Sequence, residues 1–494
     1  MKRLALLALA AALLGGRPAR AYDPATTQAG LTERAALASN LHRVLAQRLG
    51  RPLGLFEPIA LNRADLDPTV ARLLGGRLDA LDPSGGYRPG ADGVASALAW
   101  VVAGAVIAAT PADRGQNFFY DPSRGNGLTQ AGGFFQVGHD LRMLFAEGGG
   151  IRGASTGTTF NLTGRPSTEW LLAPENDVGL PAFYDGLEAA TIAERPGPRA
   201  TALARALLAL GGTLAVLEDA GDPANVRNDF RAAYLDDGGS SVFDRGSRFD
   251  RYVAETFGQS GVPAPATPVN RPTVLSYITA ADRQGLADRT QRRFFSDGTV
   301  PASVVVDRLT TPAEVMRDAR ESLPYAFPRV PHLDRLAGMG DVHYAYASPE
   351  PAAGTGGPAA QAKRRLFAYL RVPGRVRFFL DRAVYHDSAR ALLPEIGGYA
   401  AGLIDFLFRA EIHLDVKAGT VAVAVTGAHG NVRGGEVRLY LEDGSGRRSA
   451  FASVPASTTP ATLTLPAGAR RIAAVLRGED DGGALVAVAE RPIL

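Results

Sequence analysis

Residues 201–230 read TALARALLALGGTLAVLEDAGDPANVRNDF, and this stretch decides the fold. Leu203, Ala206, Leu207, Leu210, Leu214 and Leu217 recur at the spacing of one helical face. The pattern predicts a buried helix that runs to about Asp219 and is stopped by Gly221 and Pro223. Acidic residues gather where it ends. Glu218, Asp219, Asp222 and Asp229 lie at or beyond a helix C-terminus, where backbone carbonyls already concentrate partial negative charge. A buried carboxylate there has to find donors, so Asp219 is expected to pair with a buried Arg, with Asn225 or with Asn228. Glu218, Asp222 and Asp229 add oxygen atoms of the kind that suit Ca²⁺ or Mg²⁺, but their spacing matches no Ca²⁺ loop.

Outward from this helix, the chain is long enough for more than one domain: 494 residues, 46% of them hydrophobic. A formal net charge of +3, with charges interspersed, gives nothing that would attract nucleic acid globally. Residues 1–21 read as a signal peptide, with Lys2-Arg3, an apolar run from Leu4 to Leu14, and Ala19-Arg20-Ala21 before Tyr22. That run is too short to span a bilayer and no later stretch reads as a transmembrane segment, so an exported, periplasmic or extracellular protein is expected. Cysteine is absent, which excludes disulfides and thiolate metal sites.

A long helix is expected from Thr32-Glu33 to about Leu49, followed by loop-rich sequence through Tyr87 and an Ala-rich helix from Ala95 to Ala109. Residues 123–165 read as a Gly- and Thr-rich excursion. Within it Gly153-Ala154-Ser155-Thr156-Gly157 fits the nucleophile-elbow pattern, but Gly148-Gly149-Gly150 before it and Asn161-Leu162-Thr163-Gly164 after it supply neither strand nor helix. His139 nearby has no partner that the sequence places. Helices are expected over Val274–Ala281, Gly285–Phe295, Pro312–Leu323, Ala362–Leu370 and His386–Arg409, with Pro349–Ala360 as a surface loop. From about Ile412 the period becomes two, and short strands at 421–425, 437–441, 461–465, 472–476 and 485–488 suggest a small immunoglobulin-like β-sandwich over 412–494.

The order of landmarks resembles the zinc-dependent phospholipase C and single-strand nuclease superfamily. Its central helix carries His-x-x-x-Asp, then Pro, a second His and often Arg-Asn-Asp. Here those places hold Ala215, Asp219, Pro223, Asn225 and Arg227-Asn228-Asp229. Gln116-Asn117-Phe118-Phe119-Tyr120-Asp121-Pro122 is similar to the family's Asn-His-Phe-Tyr-Asp-Pro, with Phe118 at the His. Gly246 to Val253 is similar to His-x-x-x-Glu-x-aromatic-Val, with Gly246 at the His and Asp250 at the acid. Family members carry an acidic pair after a helix Gly; counted from Gly104 it falls on Ala108 and Ala109, so the water-positioning carboxylate is missing. Tyr22 matches the aromatic first residue of the nuclease branch, whose free amine binds zinc, and Gln28 stands at the first His. Ala401-Gly402-Leu403-Ile404-Asp405 is similar to the closing helix.

The resemblance implies a mainly α, multi-helix domain over 22–409 and a tri-zinc phosphoesterase centre. It also implies that Gln28, Phe118, Ala215, Asn225 and Gly246 surround Asp219 and Asp250. Those two acids are the residual metal candidates, and with the imidazoles gone no zinc and no other cofactor is expected. The seven histidines, His42, His139, His332, His343, His386, His413 and His429, form no His-x-x-x-Asp or His-x-x-x-Glu pair on a core helix. The expected function is therefore that of an exported, catalytically inactive relative acting by binding or assembly. Its ligand would be phosphate- or lipid-like, or an envelope protein held by the C-terminal module. The alternatives are a residual phosphodiesterase with a remodelled metal site, an esterase using Ser155, and a structural envelope protein. N-terminal sequencing of exported material is expected to begin at Tyr22; intact Met1 in the cell envelope would contradict this reading.

Overall fold

Two helices meet backbone to backbone, and the rest of the helical region is laid around that contact. The computed structural model describes residues 22–60, 94–109, 112–129, 163–229, 247–257, 267–300, 304–305, 342–347, 364–372, 375–427, 429–430 and 432–493. In chain order, a π-turn Pro24–Gln28 leads into α1 (Ala29–Ala38) and α2 (Leu41–Gln47), then the strand pair β1 (Pro58–Ala60) and β2 (Val94–Ser96). Next come α3 (Ala97–Ala108), α4 (Leu180–Ile192), α5 (Pro196–Asp219), α6 (Arg248–Thr256), α7 (Val274–Ile278) and α8 (Leu286–Arg293). Strands β3 (Val304–Val305), β4 (Val342–Ala347), β5 (Arg364–Val372) and β6 (Arg375–Phe379) precede α9 (Arg382–Leu407). The chain closes with β7 (Glu411–Lys417), β8 (Thr420–Thr426), β9 (Glu436–Glu442), β10 (Arg448–Pro455), β11 (Ala461–Thr464), β12 (Arg471–Asp480) and β13 (Gly483–Pro492).

Helix α5 is the predicted central helix, buried from Leu203 onward on nearly every face. Where it crosses α3, a Cβ on Gly104 would lie 1.9 Å from the Leu208 carbonyl oxygen, and one on Gly211 would lie 1.8 Å from that of Val101. Only glycine permits so close an approach. Length and composition alone would let α5 cross a membrane, contrary to the sequence reading that no later run is long enough; 83% of its apolar window is buried inside the protein.

The helical region departs from expectation in two places. The long first helix is broken: the Ser39 hydroxyl accepts from Leu41 N (3.2 Å) and donates to Ala36 O (2.9 Å), while Asn40 N donates to Asp405 Oδ1 (2.6 Å). Such local polar bonds offer the backbone an alternative to the helical ladder. Where a helix is expected over Ala362–Leu370, residues 364–370 belong to strand β5. Leu366, Phe367, Ala368 and Tyr369 are all buried, so both faces are apolar and periodicity cannot separate strand from helix. As a result a four-stranded antiparallel sheet, β3-β6-β5-β4, interrupts the expected all-helical region. Pro312–Leu323 and Pro349–Ala360 lie outside the described residues.

The C-terminal region is two antiparallel sheets, β10-β9-β12-β13 and β11-β8-β7, which share a second core of Ile412, Val423, Leu439, Ile472 and Ala487 among others. Strands β7 and β10 escaped the sequence reading; β10 is polar and carries a register shift between Ala450 and Ala452. The larger sheet also faces the helices. Val475, Val486 and Val488 belong to the main core, Tyr184 OH donates to Ala484 O (3.0 Å), and Arg409 binds both carboxylate oxygens of Asp480 at 2.8 Å. Arg448 ties Glu442 (2.9 Å), Glu490 (2.7 Å) and the Thr191 carbonyl (2.7 Å) at the same seam. Helical and sheet regions are therefore joined by buried apolar side chains and buried ion pairs.

Gly211→Ala is expected to destabilise the protein by about 3 kcal/mol, because backbone rather than a flexible side chain stands in the way. Urea unfolding measures it, and a neutral result would contradict the crossing.

Candidate functional site

The C-terminal end of α5 delivers three adjoining carboxyls into the core: Glu218, Asp219 and, after the turn at Gly221, Asp222, each at most 1% exposed. Asp250 arrives from the first turn of α6 and is also buried. Tyr22, 0% exposed, sits against this group, its hydroxyl donating to Gly221 O at 3.2 Å. Burial pushes the Tyr22 phenol well up, and Asp222, Asp250, Asp219 and Glu218 add to the effect.

Each acid has a local structural task. Asp250 Oδ2 accepts from Ser247 N (2.9 Å) while Ser247 Oγ accepts from Asp250 N (3.0 Å), a capping box that starts α6. Asp222 Oδ1 accepts from Ala224 N (3.0 Å) and caps the short turn Pro223–Val226. Glu218 Oε1 accepts from Thr32 Oγ1 on α1 at 2.8 Å. Asp219 Oδ1 accepts from Gln28 Nε2 at 3.3 Å, and the same amide nitrogen lies 3.3 Å from the Ala215 carbonyl.

Burial is the first cause of the pKa shifts here. It raises the Glu218 carboxyl from 4.5 to about 8, with the Thr32 hydrogen bond opposing. Asp222 is raised mainly by burial, opposed by the Ala224 N–H and reinforced by Asp219, Asp229 and Asp297. Asp250 is raised by burial and then by Asp222.

The sequence-derived positions fall out as follows. Gln28, Ala215 and Asp219 are in direct contact. Asp219 lies close enough to Asp222 and Asp250 to help raise the pKa of both, and Asp222 raises that of Asp250. Asn225 is 1% exposed and its carbonyl accepts from Tyr120 N (3.4 Å), yet neither side-chain atom has a hydrogen-bond partner among the described residues. The amide that reaches Asp219 is thus Gln28, while Asn228 binds Gly127 O (3.1 Å) and Thr129 Oγ1 (2.8 Å). Asp229 accepts from Gly298 N at 2.7 Å. Phe118 is buried in the main core, as is Ala109 immediately after α3. Gly246, Ser155 and His139 lie outside the described residues. His386 accepts from or donates to the Tyr252 hydroxyl at 2.9 Å, in keeping with a structural histidine. The sequence singled out Tyr22 for its backbone amine rather than its phenol, and gave no sign that Thr32 bonds Glu218.

Buried arginines bind carboxylate and backbone oxygens of the helical region. Arg289 and Arg293 both reach Glu395 on α9, Arg293 at 2.6 Å. Arg227 donates to Phe294 O (2.6 Å) and Gln291 O (2.5 Å) and stacks on Phe295.

Zinc takes imidazole, thiolate and carboxylate ligands. At the positions the resemblance assigns to imidazoles, Ala215 and Phe118 offer no donor and the Gln28 amide is hydrogen-bonded to Asp219. Among the described residues no three His, Cys, Asp or Glu side chains form a group that could hold a metal ion. The donor set does not fit zinc.

No family model and no curated protein matches this chain. The solved alpha toxin from Clostridium absonum is similar over 95% of this chain and 92% of that chain, at 10% identity and a TM-score of 0.25. A superposition that loose carries no argument.

The Glu218 shift sets a pH dependence. An acid whose pKa is raised on folding contributes nothing adverse below the unfolded value of 4.5, costs progressively more up to about 8, and costs a constant amount above. At 1.36 kcal/mol per pH unit the ceiling is roughly 5 kcal/mol. Glu218→Gln is therefore expected to gain stability over the wild type between pH 5 and pH 8 and to show a flat difference beyond. Urea melts across that range would contradict this if the difference did not change with pH.

Proposed function

We propose that this is an exported, catalytically inactive protein of the phospholipase C and single-strand nuclease type, acting by binding or assembly. One observation carries the reading. Gln28 spends its side-chain amide on Asp219, tying two positions that would otherwise share a metal directly to each other. The neighbouring positions add no nitrogen ligand, and replacing even groups outside a zinc ion's direct ligands costs about 10- to 100-fold in affinity. The helical domain spans 22–409, and 412–494 forms an immunoglobulin-like sandwich whose larger sheet packs against α4. Hydrolysis of a phosphodiester would need a metal-held phosphate and an activated water, and the carboxylate that positions that water is replaced by Ala109.

A second reading has its own observation. Asp222 Oδ2, Asp250 Oδ1 and both polar atoms of the Asn225 side chain lack hydrogen-bond partners among the described residues. Oxygen donors of this kind belong to a hard cation such as Mg²⁺ or Ca²⁺, which would make the protein a phosphodiesterase with a remodelled centre.

Metal analysis of the purified mature protein, run with a phosphodiesterase assay, separates the two. The expected result is no stoichiometric metal and no turnover, with Asp219→Ala changing stability and leaving any background rate unaltered. Stoichiometric Mg²⁺ or Ca²⁺ with metal-dependent turnover establishes the second reading; stoichiometric zinc overturns the first.

A further inference from the structure

We draw no further inference here: the strongest candidate, the buried cluster of Asp222, Asp250 and Asn225 side chains between the end of α5 and the start of α6, belongs to the site already described.

Discussion

The contact of α3 with α5 at Gly104 and Gly211 is the constraint on which the rest depends. With backbone touching backbone, neither helix can rotate or slide without a carbonyl oxygen entering the space of a main-chain atom. That fixes the azimuth of α5, and with it the direction in which Ala215 and Asp219 leave the helix one turn apart. Gly212 repeats the arrangement on another side, where a Cβ would lie 2.2 Å from the Val178 carbonyl. A helix held on several faces can carry charged groups into the interior at its end, because its burial is secured elsewhere.

What it carries there is costly. Buried carboxyls with raised pKa values oppose folding at neutral pH, and the protein offsets this with specific local bonds: a capping box at Asp250, a cap at Asp222, a hydroxyl on Glu218 and an amide on Asp219. Elsewhere the same chain pairs its buried acids with arginine, as at Glu395 and Asp480. The contrast is chemical. Around Tyr22 the acids accept from Gln28, Thr32, Ala224 and Ser247; at Glu395 and Asp480 they are met by guanidinium groups.

Much of the architecture was legible because its signals are local and strong. The apolar period of α5, the Gly-Asp-Pro stop and the change to period two near Ile412 each reflect one physical requirement, the burial of a helix or sheet face. Strand β5 was not legible, since Leu366, Phe367, Ala368 and Tyr369 are buried in succession and leave no period-two pattern. The break at Ser39 and Asn40 depends on Asp405, a residue 365 positions away from Asn40. At the site, the sequence pointed to Gln28, Ala215 and Asp219 and to hydrogen bonds from Gln28 and Asn225; the Gln28 amide reaches Asp219, whereas the Asn225 side chain, close in the chain, finds no hydrogen-bond partner among the described residues.

The proposal turns on Gln28 and Asp219 holding each other directly at the end of α5 rather than a metal ion. Crystals of the mature protein soaked in zinc, with data collected above and below the zinc absorption edge, test it most directly. The account predicts no anomalous peak among Gln28, Asp219 and Asp250, with the Gln28 amide still directed at Asp219. A full-occupancy peak bonded to Asp219 and Asp250, with the Gln28 side chain displaced, would contradict it.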